Sequence, residues 1–353
     1  DPEGAREALE RFLQPGQFSM RTYRGQVRYA EALALEERVE EAADFLESSL
    51  NALEEWRSGL DAVGLQQYAF QVAEYVPDPD LGIASVIAAL AESGMVRRGF
   101  DLAERQRARD LYEKMVLAEI GRRGEGEDLD EDPSIPGPPR PLGADEVLAT
   151  IPDGGTAVIE FVTGVGGEPT TAFILAGGQV DAVILAPVDS LERDINLLRT
   201  LAASGEEPGP AAVRLGEALF APILRVLPEN VVSLVLVPSG SLHRIPFDLL
   251  VPADEGPLLR RFVVSVAPSA SVLSQLWAEP SEIPSALLAL GNPDSPGAEF
   301  EELPRLPGAA KEARAVARFG DPGHTRLGED ASEAFMRTSP LEEYGVIHLA
   351  THA

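Results

Sequence analysis

The spacing of the apolar residues changes once along this chain, near residue 146, and that change limits the folds it can adopt. Between residues 5 and 120, apolar side chains recur every three or four positions with few β-branched runs, which is the pattern of amphipathic helices. After residue 146 they form short unbroken runs bounded by glycine, proline and aspartate, which is the pattern of strands. We therefore predict an α + α/β protein in which a helical region precedes the sheets.

The helical region, residues 1–120, shows signs of an internal repeat. Its clearest predicted helices are Val27–Glu37, Val39–Trp56, Leu65–Val76, Leu81–Ser93 and Arg97–Ile120. Two segments resemble each other, EERVEEAADFLESSL and SGMVRRGFDLAERQR, and in both a turn leads into a helix with a small residue, Ala42 or Gly99. Small residues let neighbouring helices pack closely, as in solenoid repeats of the tetratricopeptide kind. Because the tryptophan, glycine and tyrosine of that repeat are mostly absent, an ordinary helical bundle is the alternative.

The segment of residues 121–145 is predicted to be a linker, since it has five prolines and many acidic residues but almost no apolar ones. Two α/β series follow, residues 146–285 and 286–353. In the first, VVSLVLVPSG is apolar on both faces, as in a central strand of a covered parallel sheet. In the second, the strands ALLALGNP, HTRLGED and VIHLATHA alternate with two helices, which is the order of a parallel sheet.

Charge and composition exclude several classes of function. The chain has 58 acidic and 29 basic residues, a formal charge of −29, whereas a nucleic-acid-binding surface needs clustered positive charge. The charge indicates an acidic surface or attraction to a basic partner. No run of 18 apolar residues is present, so no membrane span is predicted. Phosphate- and dinucleotide-binding motifs are also missing, so we expect no cofactor. The location is predicted to be cytoplasmic.

The last eight residues, VIHLATHA, carry two of the four histidines. His352 would leave the carboxyl end of a buried strand, where the chemistry of parallel sheets is concentrated, and this suits a general base. Ala353 is a small residue, so its backbone N–H could approach a substrate carbonyl and act as an oxyanion donor. His348, four residues before His352, would lie on the same face, as a core histidine or as a hydrogen-bonding support.

Other readings of these histidines are weaker. His348 and His352 have the spacing of a zinc-binding helix, but Leu349 stands where that motif has glutamate, and the local sequence favours a strand. We therefore predict no metal site, although a zinc hydrolase remains an alternative. Ser239 to His243 lacks the G-x-S-x-G elbow of serine hydrolases, so a structural turn is expected there. His324 is expected in an exposed loop.

Seven segments, in order along the chain, resemble CHAT-domain proteins, which are caspase-like peptidases of clan CD related to separase and commonly follow tetratricopeptide-type repeats. The segments are GMVRRGFDLAERQRARDL, LVLVPSGSLHRIPFDLL, VAPSASVL, LALGNP, LPRLPGAAKEARAV, LGEDASEAFM and IHLATHA. The resemblance implies that residues 146–285 are a non-catalytic caspase-like half and that residues 286–353 begin the catalytic half. His352 then matches the histidine of a cysteine–histidine dyad, and Ala353 replaces the glycine that usually follows it.

In this family the nucleophilic cysteine lies on the next strand, which would be beyond residue 353. The resemblance thus implies a fragment of a cysteine endopeptidase, truncated before its last strands and inactive by itself. Its partners would be a protein substrate or a regulatory protein bound through the helical region, with no nucleic acid and no membrane. The alternative is a catalytically inactive scaffold that recognises other proteins.

Overall fold

Helices form the amino-terminal region of the chain. The computed structural model describes residues 4, 19–58, 82–107, 140–207, 209–252, 256–278, 284–293 and 306–351. The first helices are α1 (Met20–Leu35), α2 (Val39–Ser58), α3 (Ile83–Glu92) and α4 (residues 96–107). α1 begins seven residues before its predicted start, because Ser19 and Thr22 cap its first turn reciprocally. The predicted helix at residues 65–76 and the end of the one at 97–120 lie outside the described residues.

The four helices form two hairpins with the same turn. Glu37 joins α1 to α2 with φ 62°, and Gly94 joins α3 to α4 with φ 84°. In each turn the following residue, Arg38 or Met95, donates its N–H to the carbonyl five residues earlier. Both pairs of positions are separated by 57 residues, as are Ala42 and Gly99. The resemblance between the two segments therefore reflects one structural unit that occurs twice.

The small residues of the two segments lie at close contacts, as predicted. Ala42 is fully buried in the core. A Cβ atom at Gly99 would lie 3.3 Å from Cζ of Phe173 and 3.5 Å from Cβ of Leu90. Because Phe173 belongs to the first sheet, Gly99 brings α4 close to that sheet as well as to α3.

The first sheet contains five strands in the order β3-β2-β1-β4-β5. The strands are β1 (Thr156–Thr163), β2 (Thr170–Ala176), β3 (Gln179–Leu185), β4 (Ser233–Val237) and β5 (Val263–Val266). β1, β4 and β5 run parallel, whereas β1, β2 and β3 form an antiparallel meander. The sheet is thus mixed, with the expected parallel pairing around β4.

Helices cover both faces of this sheet. Besides α1 to α4, these helices are α5 (Ala144–Thr150), α6 (Glu192–Ala203), α7 (Gly209–Leu215), α8 (Ala221–Leu224) and α9 (Ala270–Ala278). Val235 and Val237 of β4 belong to a core shared with α1 to α5, whereas Leu234 and Leu236 belong to a second core shared with α6 to α8. The prediction that this strand is covered on both faces is confirmed.

A buried ion cluster links α4 to the first sheet. Arg107 donates to Glu160 of β1 over 3.1 Å, and its guanidinium lies 3.9 Å from Glu104 on its own helix. It also donates to the backbone carbonyls of Phe161, over 2.6 Å, and Pro238, over 2.8 Å. Both carboxyl side chains are fully buried. One arginine therefore stabilises two buried acids and two backbone carbonyls at the ends of β1 and β4.

Contacts divide the chain into two compact units, residues 1–278 and residues 279–353. The second unit contains β6 (Leu287–Pro293), α10 (Pro307–Val316), β7 (Gly323–Gly328), α11 (Glu333–Thr338) and β8 (Val346–Ala350). Its three strands are parallel, in the order β7-β6-β8, with α10 on one face and α11 on the other. The predicted alternation of strands and helices is confirmed. Among the described residues, no helix is both long and apolar enough to cross a membrane.

Candidate active site at the carboxyl end of β8

Strand β8 precedes, in the sequence, the two residues from which chemistry was expected. It ends at Ala350 and is followed by the exposed Thr351. His352 and Ala353, the predicted base and oxyanion donor, follow at once in the sequence but lie outside the described residues. The structure establishes the element that precedes these two residues, which is a strand parallel to β6.

His348 lies in the middle of β8, paired with Ala289 of β6. Its Nε2 atom lies 2.9 Å from Oε1 of Glu312 on α10, and the two side chains are 30% and 55% exposed. The expectation of a core histidine was wrong, because β8 is one of the two outer strands among the three described and leaves this side chain partly open to solvent. A hydrogen-bonding role is chemically available, since Glu312 fixes the orientation of the ring.

His324 is part of strand β7 and not of an exposed loop. Its Nδ1 atom lies 3.0 Å from the hydroxyl oxygen of Tyr344, and the two rings meet edge to face at 5.5 Å. The expectation of a loop residue was wrong, because β7 already begins at Gly323, the residue before His324. His324 therefore packs against Tyr344 near the start of β7.

The stretch from Ser239 to Arg244 is a structural turn, as predicted. Residues 240–244 form one turn of 3₁₀ helix, and Arg244 donates to Glu192 of α6 over 2.6 Å. The hydroxyl of Ser241 and then the guanidinium of Arg244 hold the pKa of Glu192 below its usual range. Ser239 bonds through its hydroxyl to Thr163 at 3.1 Å, which gives it a structural partner.

Asn292 was missed by the sequence reasoning. It lies near the carboxyl end of β6 with φ 48°, and its side-chain oxygen accepts a hydrogen bond from the N–H of Leu306 over 2.8 Å. Asparagine tolerates this left-handed conformation better than most residues. The Gly-Asn-Pro sequence after an apolar strand was the available signal, and the Asn292 side chain links the end of β6 to Leu306, the residue before α10.

The zinc hypothesis gains no further ligand within the described part of the chain. No group of three or more histidine, cysteine, aspartate or glutamate side chains there is arranged to hold a metal ion. The second histidine of that hypothesis, His352, is outside the described residues.

Comparison with protein families gives one match, and no curated protein matches the chain. The matching family is the CHAT domain, over residues 209–353. The matched segment begins at the first residue of α7, includes β4 and β5, and continues through the second unit. It contains six of the seven segments that carried the resemblance in the sequence. This match places a CHAT domain at residues 209–353, a part of the chain that includes all of the second unit.

Proposed function

We propose that the chain is part of a cysteine endopeptidase in which His352 acts as the general base. CHAT domains belong to the caspase-like peptidases. The observation that carries the proposal is that His352 comes two residues after the last residue of β8, a parallel strand in the matched region, and parallel sheets place catalytic groups beyond this end of their strands. His348, held by Glu312, would support the strand that precedes the base in the sequence.

The reaction would proceed through a covalent intermediate. The imidazole of His352 takes the proton of a cysteine thiol, and the thiolate attacks the carbonyl carbon of the scissile peptide. The backbone N–H of Ala353 donates to the oxyanion, and the imidazolium returns its proton to the leaving amine. Water then hydrolyses the thioester. Since these 353 residues contain no cysteine, the nucleophile of this mechanism comes from a further part of the gene product.

The test is peptide cleavage by the gene product extended past residue 353. His352→Ala should lower kcat/KM by about 10²- to 10⁴-fold, the usual contribution of a general base. The matched control is His324→Gln, which changes a histidine of the same unit whose Nδ1 atom lies 3.0 Å from the hydroxyl oxygen of Tyr344. It should leave kcat/KM within about twofold of wild type. Equal activity of the wild type and His352→Ala would refute the proposal.

A second candidate function is partner recognition by an inactive scaffold. The observation that favours it is the repeated hairpin of α1 to α4, since stacked helical repeats build extended binding surfaces. In the peptidase, the same surface would receive a regulatory protein. Substituting exposed residues of α1 to α4, which leaves the core that they share with the first sheet intact, distinguishes the roles, because a regulator that binds there would lose its effect while peptidase activity remained.

A further inference from the structure

A cleft in the first unit lies at the ends of two parallel strands, far in sequence from His352. It is lined by the segments that leave β1 and β4, including Thr163, Gly164, Ser239 and Gly240, and it has a volume of about 190 Å³. From β1 the chain turns to β2 on one side, and from β4 it continues to β5 on the other. Ligands of open parallel sheets bind where such connections diverge, outside the carboxyl ends of the strands. The cleft is therefore at the position where this topology favours binding.

The charged side chain in the cleft wall is Glu168, which is 8% exposed. Its Oε1 atom accepts from the N–H of Gly82, over 2.8 Å, and from the hydroxyl of Ser85, over 2.9 Å. Its Oε2 atom accepts from the N–H of Val165 over 3.1 Å. The three groups that donate to Glu168 in the described part of the chain are all uncharged. A carboxylate oxygen accepts about two hydrogen bonds, so Oε2 retains capacity for an incoming N–H group.

A second carboxyl group lies beside Glu168. Glu31 of α1 accepts from the same hydroxyl of Ser85, over 3.2 Å, and pairs with Arg28. Because Ser85 has only one hydroxyl proton, it cannot satisfy both acids at once. Burial, and after it the negative charge of Glu168, raises the pKa of Glu31, while Arg28 opposes the shift. Two acids thus share this position with one described cation.

We propose that the cleft binds the cationic end of one arginine or lysine side chain presented by a partner polypeptide. The volume is below the roughly 300 Å³ at which pockets for drug-sized ligands begin, so it suits a single side chain. The Glu168 carboxylate pairs with the cation, and Thr163, Ser239 and Gln106 offer oxygen acceptors for its remaining N–H groups. The formal charge of −29 would accelerate the approach of a basic partner.

The test uses the 353-residue protein and three capped pentapeptides with central arginine, lysine or citrulline between glycines. Calorimetry should show saturable binding of the two cationic peptides and at least about tenfold weaker binding of the citrulline peptide, which has the shape of arginine without its charge. In ¹⁵N NMR spectra the amides of Gly164, Val165 and Gly240 should shift. Equal affinity for arginine and citrulline peptides, or no binding up to about 10 mM, would overturn the proposal.

Variants separate charge from shape. Glu168→Gln should weaken the arginine peptide about tenfold or more, whereas the matched control Glu206→Gln, which removes an exposed acid outside the cleft, should stay within about twofold. Ser239→Ile should block the cleft while keeping Glu168 charged, and it carries the test if Glu168→Gln does not fold. Wild-type affinity in either cleft variant would refute the site. Tighter binding of free arginine amide than of the peptide would refute a polypeptide ligand. None of these outcomes depends on a cysteine or on His352, so peptidase activity is tested separately.

Discussion

Replacing Arg107 by methionine should destabilise the first unit by about 3–5 kcal/mol, the usual effect of removing one partner from a buried ion pair. The side chain of Arg107 is 13% exposed, and both acids beside it are fully buried. Methionine would leave Glu160 without its donor and the carbonyls of Phe161 and Pro238 without theirs. It keeps most of the aliphatic volume, so the loss measures polar contacts more than packing.

The matched control is Arg105→Met, two residues earlier on the same helix. Arg105 bonds to Glu54 and Asn51 at the surface, where an ion pair contributes about 0–1 kcal/mol. Both tryptophans of the chain, Trp56 and Trp277, belong to the first unit, so tryptophan fluorescence in a urea titration reports its unfolding. A loss below about 1 kcal/mol for Arg107→Met, or an equal loss for both variants, would refute the argued role of the cluster.

Three further predictions follow from single contacts. Burial, then repulsion by Glu104, raises the pKa of Glu160 well above 4.5. The folded state therefore binds more protons than the unfolded state, and the free energy of unfolding should fall as pH rises above about 4.5. Glu160→Gln should flatten that slope in urea titrations at several pH values, and an unchanged slope would contradict it. Glu37→Gly should raise the unfolding free energy by about 1 kcal/mol and Gly94→Ala lower it similarly, because both positions have positive φ; calorimetry showing the opposite signs would contradict this. Leu349 is 56% exposed on β8, an outer strand among those described, and should drive self-association. Light scattering should show that Leu349→Lys reduces this association. A wild type that is monomeric at every concentration would contradict the prediction.

The second unit was almost fully predictable, because its order depends on local signals. Apolar runs bounded by glycine, proline and aspartate gave β6, β7 and β8, and the intervening periodic segments gave α10 and α11. Parallel pairing then followed from the alternation.

What the sequence did not predict are contacts between distant residues. Glu160 lies in the apolar strand TAVIEFVT, and its partner Arg107 is 53 residues away and on a helix. Glu168 and Gly82 are 86 residues apart. The pairing of His348 with Glu312 spans 36 residues. Periodicity describes one element at a time, so it cannot say which polar groups two elements bring together.

The two candidate sites illustrate this difference. His352 was identifiable from the sequence because a histidine after an apolar strand stands out in a chain with only four histidines. Glu168 is one of 58 acidic residues and has no distinguishing neighbour in the sequence; only the divergence of the chain after β1 and β4 places it in a cleft. If the cleft binds a basic side chain, the excess of acidic residues contributes to recognition as well as to solubility, and high salt should slow binding more than it weakens the buried contact. Equal salt sensitivity of association and dissociation rates would instead attribute the attraction to the acidic surface as a whole.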